Sequence, residues 1–204
     1  MRTYSCRGMP QSAGACETLL VEDAGTASSA SAETSDPRTE KAMKQKSSTR
    51  LVLICGLPAS GKTTLGRELA RRIPAIRLNK DQWTTQLGHD VWDDEFRLRV
   101  EAQLWALTRE LLAQGQSVIL DWGHWARVER DEKRLGARAL GVGVELHYLD
   151  ATLEELIARA QRRNASGEWT ASPITRAHFE QWATIFQAPD EEELRLFDEP
   201  VHKA

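Results

Sequence analysis

One nine-residue segment constrains the fold more than any other part of this 204-residue sequence. Residues 56–64 read GLPASGKTT and fit the pattern G-x-x-x-x-G-K-[ST]. The segment follows the apolar run LVLIC of residues 51–55, which is typical of a strand buried on both faces of a parallel sheet. A helix is predicted from Lys62 to Arg72, so the segment has the strand, loop and helix setting of a phosphate-binding loop.

The chemistry of this loop predicts that it binds nucleotide phosphates. Its backbone amides and the helix N-terminus would point into one concavity and stabilise phosphate oxygens. Lys62 would reach the β- and γ-phosphates of ATP, and the Thr63 hydroxyl would be a ligand of Mg²⁺. The alternative is a glycine-rich turn that binds nothing. The predicted nucleotide contacts are Gly56, Pro58, Ala59, Ser60, Gly61, Lys62, Thr63 and Thr64.

From residue 51 onward, apolar runs alternate with segments of helical spacing. Further strands are predicted at residues 75–78, 117–121 and 142–149, with a fifth at 194–197, and further helices around residues 100–111, 126–140, after 152 and around 179–186. This alternation is typical of a doubly wound α/β domain. We therefore expect residues 49–204 to form one domain with a parallel five-stranded sheet and a small lid.

Residues 1–48 differ from the rest of the chain. They are rich in Ser, Thr, Ala and Gly and contain almost no aromatic or branched apolar residues, so they cannot bury enough surface to become ordered. Six acidic residues in this segment argue against a transit peptide. We expect a disordered, dispensable leader, with a true translation start at Met43 as an equal alternative.

Charge and cysteine content exclude several classes of partner. The 27 basic and 30 acidic residues are interspersed, which predicts no broad basic surface for nucleic acid. Cysteines stand only at Cys6, Cys16 and Cys55, without zinc or disulfide spacing. No apolar run approaches the roughly 20 residues of a membrane span, and no secretory signal is visible. A cytoplasmic protein is expected, and the sequence leaves its oligomeric state open.

Two acidic residues are predicted at the edge of the sheet beside the loop. Asp121 ends the third strand, where a carboxylate suits Mg²⁺, with a helix or turn cap as the alternative. Asp81 follows the second strand and is predicted to be the base that takes a proton from an attacking hydroxyl, again with a turn cap as the alternative. Trp122 follows Asp121, where many ATPases carry a Glu that activates water, so an acceptor other than water is favoured.

The remaining candidate residues are cationic or aromatic. Arg159 and Arg163 precede the polar stretch 165–173 and are predicted to stabilise the transferring phosphate from the lid, with favourable charge at a helix C-terminus as the alternative. Arg127 would bind an anionic group of the substrate, and Trp122 and Trp125 would form a wall of the substrate pocket. A solvated helix face is the alternative for Arg127, and simple packing is the alternative for the two tryptophans.

These motifs together resemble one known group of proteins. The segments LNKD at residues 78–81, VILDWGHWAR at 118–127, HYLD at 147–150 and RRN at 162–164, combined with GLPASGKTT, are similar to bacterial P-loop kinase-like proteins, the group of zeta toxins, chloramphenicol phosphotransferases and polynucleotide kinases. The resemblance covers essentially everything from Arg50 onward. It implies a five-stranded parallel sheet, ATP with Mg²⁺, a lid with arginines and an acidic base after strand two, but it names no phosphate acceptor.

The sequence therefore predicts an ATP-dependent phosphotransferase that acts on a hydroxyl of a small molecule. A nucleic-acid 5′-end kinase is one alternative, although it would be expected to carry a basic groove. A hydrolysing NTPase is another, although it would need a residue that orients water. A nucleotide sensor without enzymatic activity is the third, although it would have no use for Asp81 or the lid arginines.

Overall fold

The structure is a computed structural model and describes residues 49–166 and 173–201. Its elements are β1 (Arg50–Cys55), α1 (Lys62–Arg72), β2 (Ala75–Leu78), α2 (Lys80–Gln86), α3 (Asp94–Ala113), β3 (Ser117–Asp121), α4 (Arg127–Arg138), β4 (Gly143–Tyr148), α5 (Leu153–Ser166), α6 (Arg176–Ile185) and α7 (Glu191–Leu194). The strands lie in the order β2-β3-β1-β4, and each neighbouring pair is parallel. The predicted α/β class with a parallel sheet is confirmed.

Strand β1 lies inside the sheet and explains why its sequence is apolar throughout. Because successive side chains point to opposite faces, Leu51 and Leu53 pack with α3 and α4, whereas Val52 and Ile54 pack with α1. All of these side chains are completely buried. Helices therefore cover both faces, and the loop that follows β1 emerges at the centre of the carboxyl edge.

Side-chain caps mark the start of two helices. At the start of α5, Thr152 and Glu155 form a capping box, in which the Thr152 amide donates to Glu155 Oε2 (2.9 Å) and the Glu155 amide donates to Thr152 Oγ1 (3.3 Å). Helix α3 begins after Asp93, whose Oδ1 accepts from the Phe96 amide (3.0 Å), and it ends before Gly115. The helices predicted around residues 100–111 and after 152 are confirmed.

Helix α2 was not predicted as a helix. Its N-cap is Asn79, whose Oδ1 accepts a hydrogen bond from the Gln82 amide at 2.7 Å. The cap places Asp81 in the first turn of a helix, where the helix dipole favours a negative charge. Asp81 therefore has a fixed backbone position just beyond the sheet edge.

The predicted fifth strand is wrong for the described residues. Helix α7 ends within residues 194–197 and a turn follows, so that only one isolated bridge joins Asp198 to Glu145. Phe197 is buried in the core, and the Asp198 carboxylate accepts from the Val144 amide at 2.7 Å. Phe197 thus anchors a turn against β4 instead of extending the sheet, whereas Leu194 and Leu196 are exposed.

A buried ion pair joins α7 to the rest of the domain. Arg130 of α4 donates from Nε and Nη2 to the two carboxylate oxygens of Glu193 at 2.6 and 2.7 Å. Its third nitrogen, Nη1, donates to the carbonyl oxygens of His124 and Trp125 at 2.8 and 3.1 Å. Since both charges are buried and fully hydrogen-bonded, this pair fixes the loop after β3 in place.

Two predictions lie outside the described residues: the leader of residues 1–48 and the middle of the polar stretch, residues 167–172. Within the described ranges, none of the helices combines the length and the apolar character that crossing a membrane demands.

Candidate active site

The loop after β1 has a backbone that requires glycine. Gly56 has φ 149° and Gly61 has φ 102°, both in the region that side chains disfavour. A Cβ atom on Gly56 would lie 2.8 Å from Ser60 Oγ and 3.0 Å from the Leu149 carbonyl oxygen. The Gly56 amide also donates to the Gly123 carbonyl at 3.1 Å, which joins this loop to the loop after β3.

The loop ends at a helix N-terminus that can receive an anion. Gly61 is the N-cap of α1 and has no side chain that could accept from the first amides of the helix. The amides of Lys62, Thr63 and Thr64 lie in the first turn, where an α-helix provides no acceptor of its own. Such amides, together with the positive end of the helix dipole, form a site for phosphate oxygens.

Lys62 reaches back across the loop. Its Nζ donates to the Leu57 carbonyl oxygen at 2.7 Å. Burial lowers the pKa of Lys62 to about 8, although the carboxylates of Asp81 and Asp121 oppose this lowering. Both carboxylates therefore lie close enough for their charges to act on the amine, so three predicted site residues share one region.

Asp121 lies at the end of β3 and is held by two residues that the sequence analysis missed. Its Oδ2 accepts from Arg77 Nε at 2.8 Å and from Asn79 Nδ2 at 2.9 Å. Within the described ranges, Oδ1 is buried and has no hydrogen-bond partner. Arg77 could have been recognised from the sequence, because it is a charged residue inside the four-residue strand β2. A charged side chain in a strand needs a partner wherever it is buried.

Thr63 and Asp121 are the residues that fit a Mg²⁺ ion. Thr63 is exposed, and the Asp121 carboxylate lies beside α1, since a Cβ on Gly66 would be 3.2 Å from the carboxyl carbon and from Oδ2. The other oxygen, Oδ1, is the one without a hydrogen-bond partner among the described residues. The described part of the chain has no group of three or more His, Cys, Asp or Glu that could hold a metal alone. This donor set suits an ion that takes its other ligands from phosphates and water.

Asp81 faces the same region from α2. Its Oδ1 accepts from Arg97 Nη2 at 3.2 Å, and the side chain is 51% exposed. Burial lowers the pKa of Arg163, and the Asp81 carboxylate opposes that change as it does for Lys62. The structure therefore brings Asp81, Lys62 and Arg163 within range of one another's charges.

The other two predicted arginines interact with different carboxylates. Arg159 is on the exposed face of α5, where its charge contributes to lowering the pKa of Glu155, which is set mainly by hydrogen bonds from Thr152. Arg127 is 44% exposed and lies 3.8 Å from both Asp131 and Asp190. Their roles in phosphate and substrate binding stay predictions.

Trp122 is a core residue of this domain. It is 4% exposed and stacks on His124 with ring centroids 5.0 Å apart. Burial lowers the pKa of His124 to about 4, and its Nδ1 donates to the Ile54 carbonyl at 3.0 Å. His124 is therefore a neutral side chain that fixes the loop after β3, and the predicted contact of Trp122 with a substrate stays a prediction.

Comparisons with known proteins identify a family for this chain. Residues 51–189, more than half of the chain, match the family model AAA_33, described as an AAA domain. A shikimate kinase of Aliivibrio salmonicida is 30% identical over 122 residues, which are 55% of this chain and 65% of that enzyme. The chain thus spans less than two thirds of the length of this curated relative.

Two solved structures share the fold. A protein from Chloroflexus aurantiacus inferred to be a kinase is 25% identical, with a TM-score of 0.57 over 70% of this chain and 82% of that one. A chain of the Pnkp1/Rnl/Hen1 RNA repair complex is 22% identical, with a TM-score of 0.58 over 74% of this chain and 46% of that one. The chain therefore belongs to the AAA_33 family of AAA domains and has the fold of the P-loop kinases.

Proposed function

We propose that this protein transfers the γ-phosphate of ATP to an alcohol hydroxyl of a small molecule. The observation that carries the proposal is the grouping of Asp81 with Lys62 and Arg163 beside the phosphate-binding loop. A loop that only binds nucleotide has no need of a carboxylate opposite its lysine, whereas transfer to a hydroxyl needs a base there.

In the proposed step, the acceptor oxygen attacks the γ-phosphorus and forms a new P–O bond. The bond from the γ-phosphorus to the β,γ-bridging oxygen breaks, and its electron pair leaves with ADP. Asp81 takes the proton of the hydroxyl and later releases it to solvent. Lys62 and Arg163 stabilise the charge that spreads over the transferring group.

Magnesium belongs to the same proposal. Thr63 and Asp121 would hold the ion, and when bound it would neutralise charge on the β- and γ-phosphates. Arg77 and Asn79 would keep Asp121 Oδ2 occupied, so that Oδ1 is the oxygen available to the ion or its water.

The competing functions have weaker support. Hydrolysis would require an activated water, yet the residue after Asp121 is the buried Trp122 and supplies no carboxylate. The RNA repair complex is similar in fold alone, and the net charge of −3 does not favour binding of a polynucleotide. The shikimate kinase relative favours a small hydroxylated acceptor, and a cytoplasmic location would supply ATP.

A screen for acceptor-dependent release of ADP tests the proposed function. The purified protein is incubated with ATP and Mg²⁺ and with separate panels of hydroxy acids that include shikimate, sugars, nucleosides and hydroxylated antibiotics. We expect one panel to raise ADP release well above the rate without acceptor. Release at the same rate with every acceptor and with none would show hydrolysis and would contradict the proposal.

The lowered pKa of Lys62 predicts a pH dependence of ATP binding. The amine is charged below about pH 8 and becomes neutral above it, although an ordinary lysine stays charged to higher pH. Because the charged form stabilises phosphate, ATP affinity should be flat near pH 7 and should fall above pH 8, approaching tenfold per pH unit. Calorimetric titration should also show uptake of a proton when ATP binds at pH 8 to 9.

Lys62→Arg is the control, because a guanidinium keeps its charge throughout this range. Its ATP affinity is expected to be lower than that of the wild type at pH 7 but independent of pH between 7 and 9.5. Wild-type affinity that stays constant to pH 9.5, without proton uptake, would contradict the assigned role of Lys62.

A further inference from the structure

A group of aromatic side chains lies beside the candidate active site, and of its members only Trp125 was predicted from the sequence to line the acceptor pocket. We call it the aromatic cluster; its members are Trp92, Trp125, His178 and Trp182. Trp182 is central, with ring centroids 6.0 Å from Trp92, 5.8 Å from Trp125 and 5.6 Å from His178. The rings of Trp92 and Trp182 are nearly parallel, at 17°.

The aromatic cluster connects the phosphate-binding loop to the region of Asp81. On one side, Trp125 and Trp182 pack in the same apolar group as Leu57 and Ala59 of the loop. On the other side, Trp92 immediately precedes Asp93, the N-cap of α3. One turn into α3, Arg97 donates to Asp81, so the cluster borders both the loop and the proposed base.

The exposure of the cluster shows that it is more than a core contact. Phe179, which meets Trp182 edge-on, is completely buried and anchors α6 in the domain. Trp92 is 37% exposed, although it already contacts two other rings. Leaving this much indole in water costs free energy that burial would recover, so a ligand that covers the exposed face is stabilised.

The charges around the cluster disfavour an anionic ligand. Asp81 and Asp94 share one cation, Arg97, at 3.2 and 3.4 Å, and Asp93 lies 3.1 Å from His89, which is charged only when protonated. Carboxylates therefore outnumber cations beside Trp92. An indole ring presents a flat face, on which another flat ring stacks in the offset arrangement.

We propose that the aromatic cluster binds the phosphate acceptor and selects a molecule without negative charge that joins a flat aromatic ring to an alcohol. The ring stacks on Trp92, which is exposed and is backed by Trp182, while the hydroxyl points toward Asp81. The direction of the hydroxyl rests on the proposed function, whereas binding of the ring does not require any phosphate transfer.

The test uses pairs of probes that differ only in the feature in question. Benzyl alcohol is compared with cyclohexylmethanol, and adenosine with ribose, by following the indole N–H signals of the ¹⁵N-labelled full chain during titration with Mg²⁺ and a nonhydrolysable ATP analogue present. We expect the aromatic member of each pair to bind roughly tenfold tighter and to shift the Trp92 and Trp182 signals.

Variants separate stacking from general damage. Trp92→Ala should weaken binding of benzyl alcohol and adenosine by roughly tenfold, and Trp92→Phe should keep most of the affinity because a ring remains. Trp83→Ala is the matched control, since Trp83 is 40% exposed and lies two residues after Asp81, roughly 200° around α2. Affinity for the ATP analogue should be the same in all three variants.

The inference is overturned if ring and non-ring probes bind equally, if Trp92→Ala has no more effect than Trp83→Ala, or if a 5′-hydroxyl oligonucleotide binds far tighter than adenosine. Its failure is distinct from failure of the proposed function. Transfer to a non-aromatic alcohol without preference for rings would support the kinase and overturn this inference. Ring-selective binding that depends on Trp92, without transfer to any alcohol, would support this inference and contradict the proposed function.

Discussion

Asp81→Asn should slow acceptor-dependent phosphate transfer by roughly 10²- to 10⁴-fold, the usual contribution of a general base. ATP and Mg²⁺ should still bind, because the loop, Thr63 and Asp121 are unchanged. The two quantities should be measured at pH 7, since loss of the Asp81 charge also removes one of the groups that keep Lys62 protonated. Nucleotide affinity and turnover are then compared in the same preparation.

Asp94→Asn is the matched control for this variant. Asp94 also pairs with Arg97, at 3.4 Å, but its side chain is 88% exposed in the first turn of α3. If the effect of Asp81→Asn came from releasing Arg97, both variants would lose activity together. Phosphate transfer at the wild-type rate in Asp81→Asn would show that Asp81 is only a residue of the first turn of α2. The base would then have to be sought elsewhere, with Asp121 the first candidate.

Lys62→Ala should reduce productive use of ATP by roughly 10³-fold, because the β- and γ-phosphates lose the positive charge that stabilises them most strongly in the transition state. The fold should not be weakened. Burial lowers the pKa of Lys62, which means that the charged amine is less favourable in the folded chain than in water. The thermal midpoint of the free variant should therefore stay at or above that of the wild type.

Arg67→Ala provides the comparison for Lys62→Ala. Arg67 is an exposed residue of α1, so its removal takes one positive charge from the same helix without touching the loop. ATP affinity and turnover should be unchanged in Arg67→Ala. Equal losses in both variants would mean that the overall charge of α1 matters and that the Lys62 side chain has no specific role.

The loop and the strand before it could be predicted because their signals are local. A run of five apolar residues directly before a glycine-rich loop is typical of a strand buried on both faces, and the positive φ angles of Gly56 and Gly61 favour glycine at those positions. The order of strands and helices follows from the same kind of periodicity. Helix α2 was missed because its apolar spacing is weak, although its Asn79 cap could have been recognised.

The parts that could not be predicted depend on contacts between distant segments. Arg77 and Asp121 are 44 residues apart, and Trp92 and Trp182 meet only because α6 packs beside the N-terminus of α3. No spacing rule relates such pairs. The wrong fifth strand has a similar cause, since Phe197 is apolar in order to fill the core beside β4 and not to extend the sheet.

The destination of the γ-phosphate of ATP tests the central claim most directly. Phosphorus-31 NMR can follow ATP with Mg²⁺ and the wild-type protein, together with the acceptor that gives the strongest response in the ADP-release screen. The proposed function predicts a new phosphate monoester signal that grows in equal amount to ADP. With Asp81→Asn, no phosphate monoester signal should be detected over the same time. Growth of inorganic phosphate alone, at a rate that does not depend on the acceptor, would contradict it.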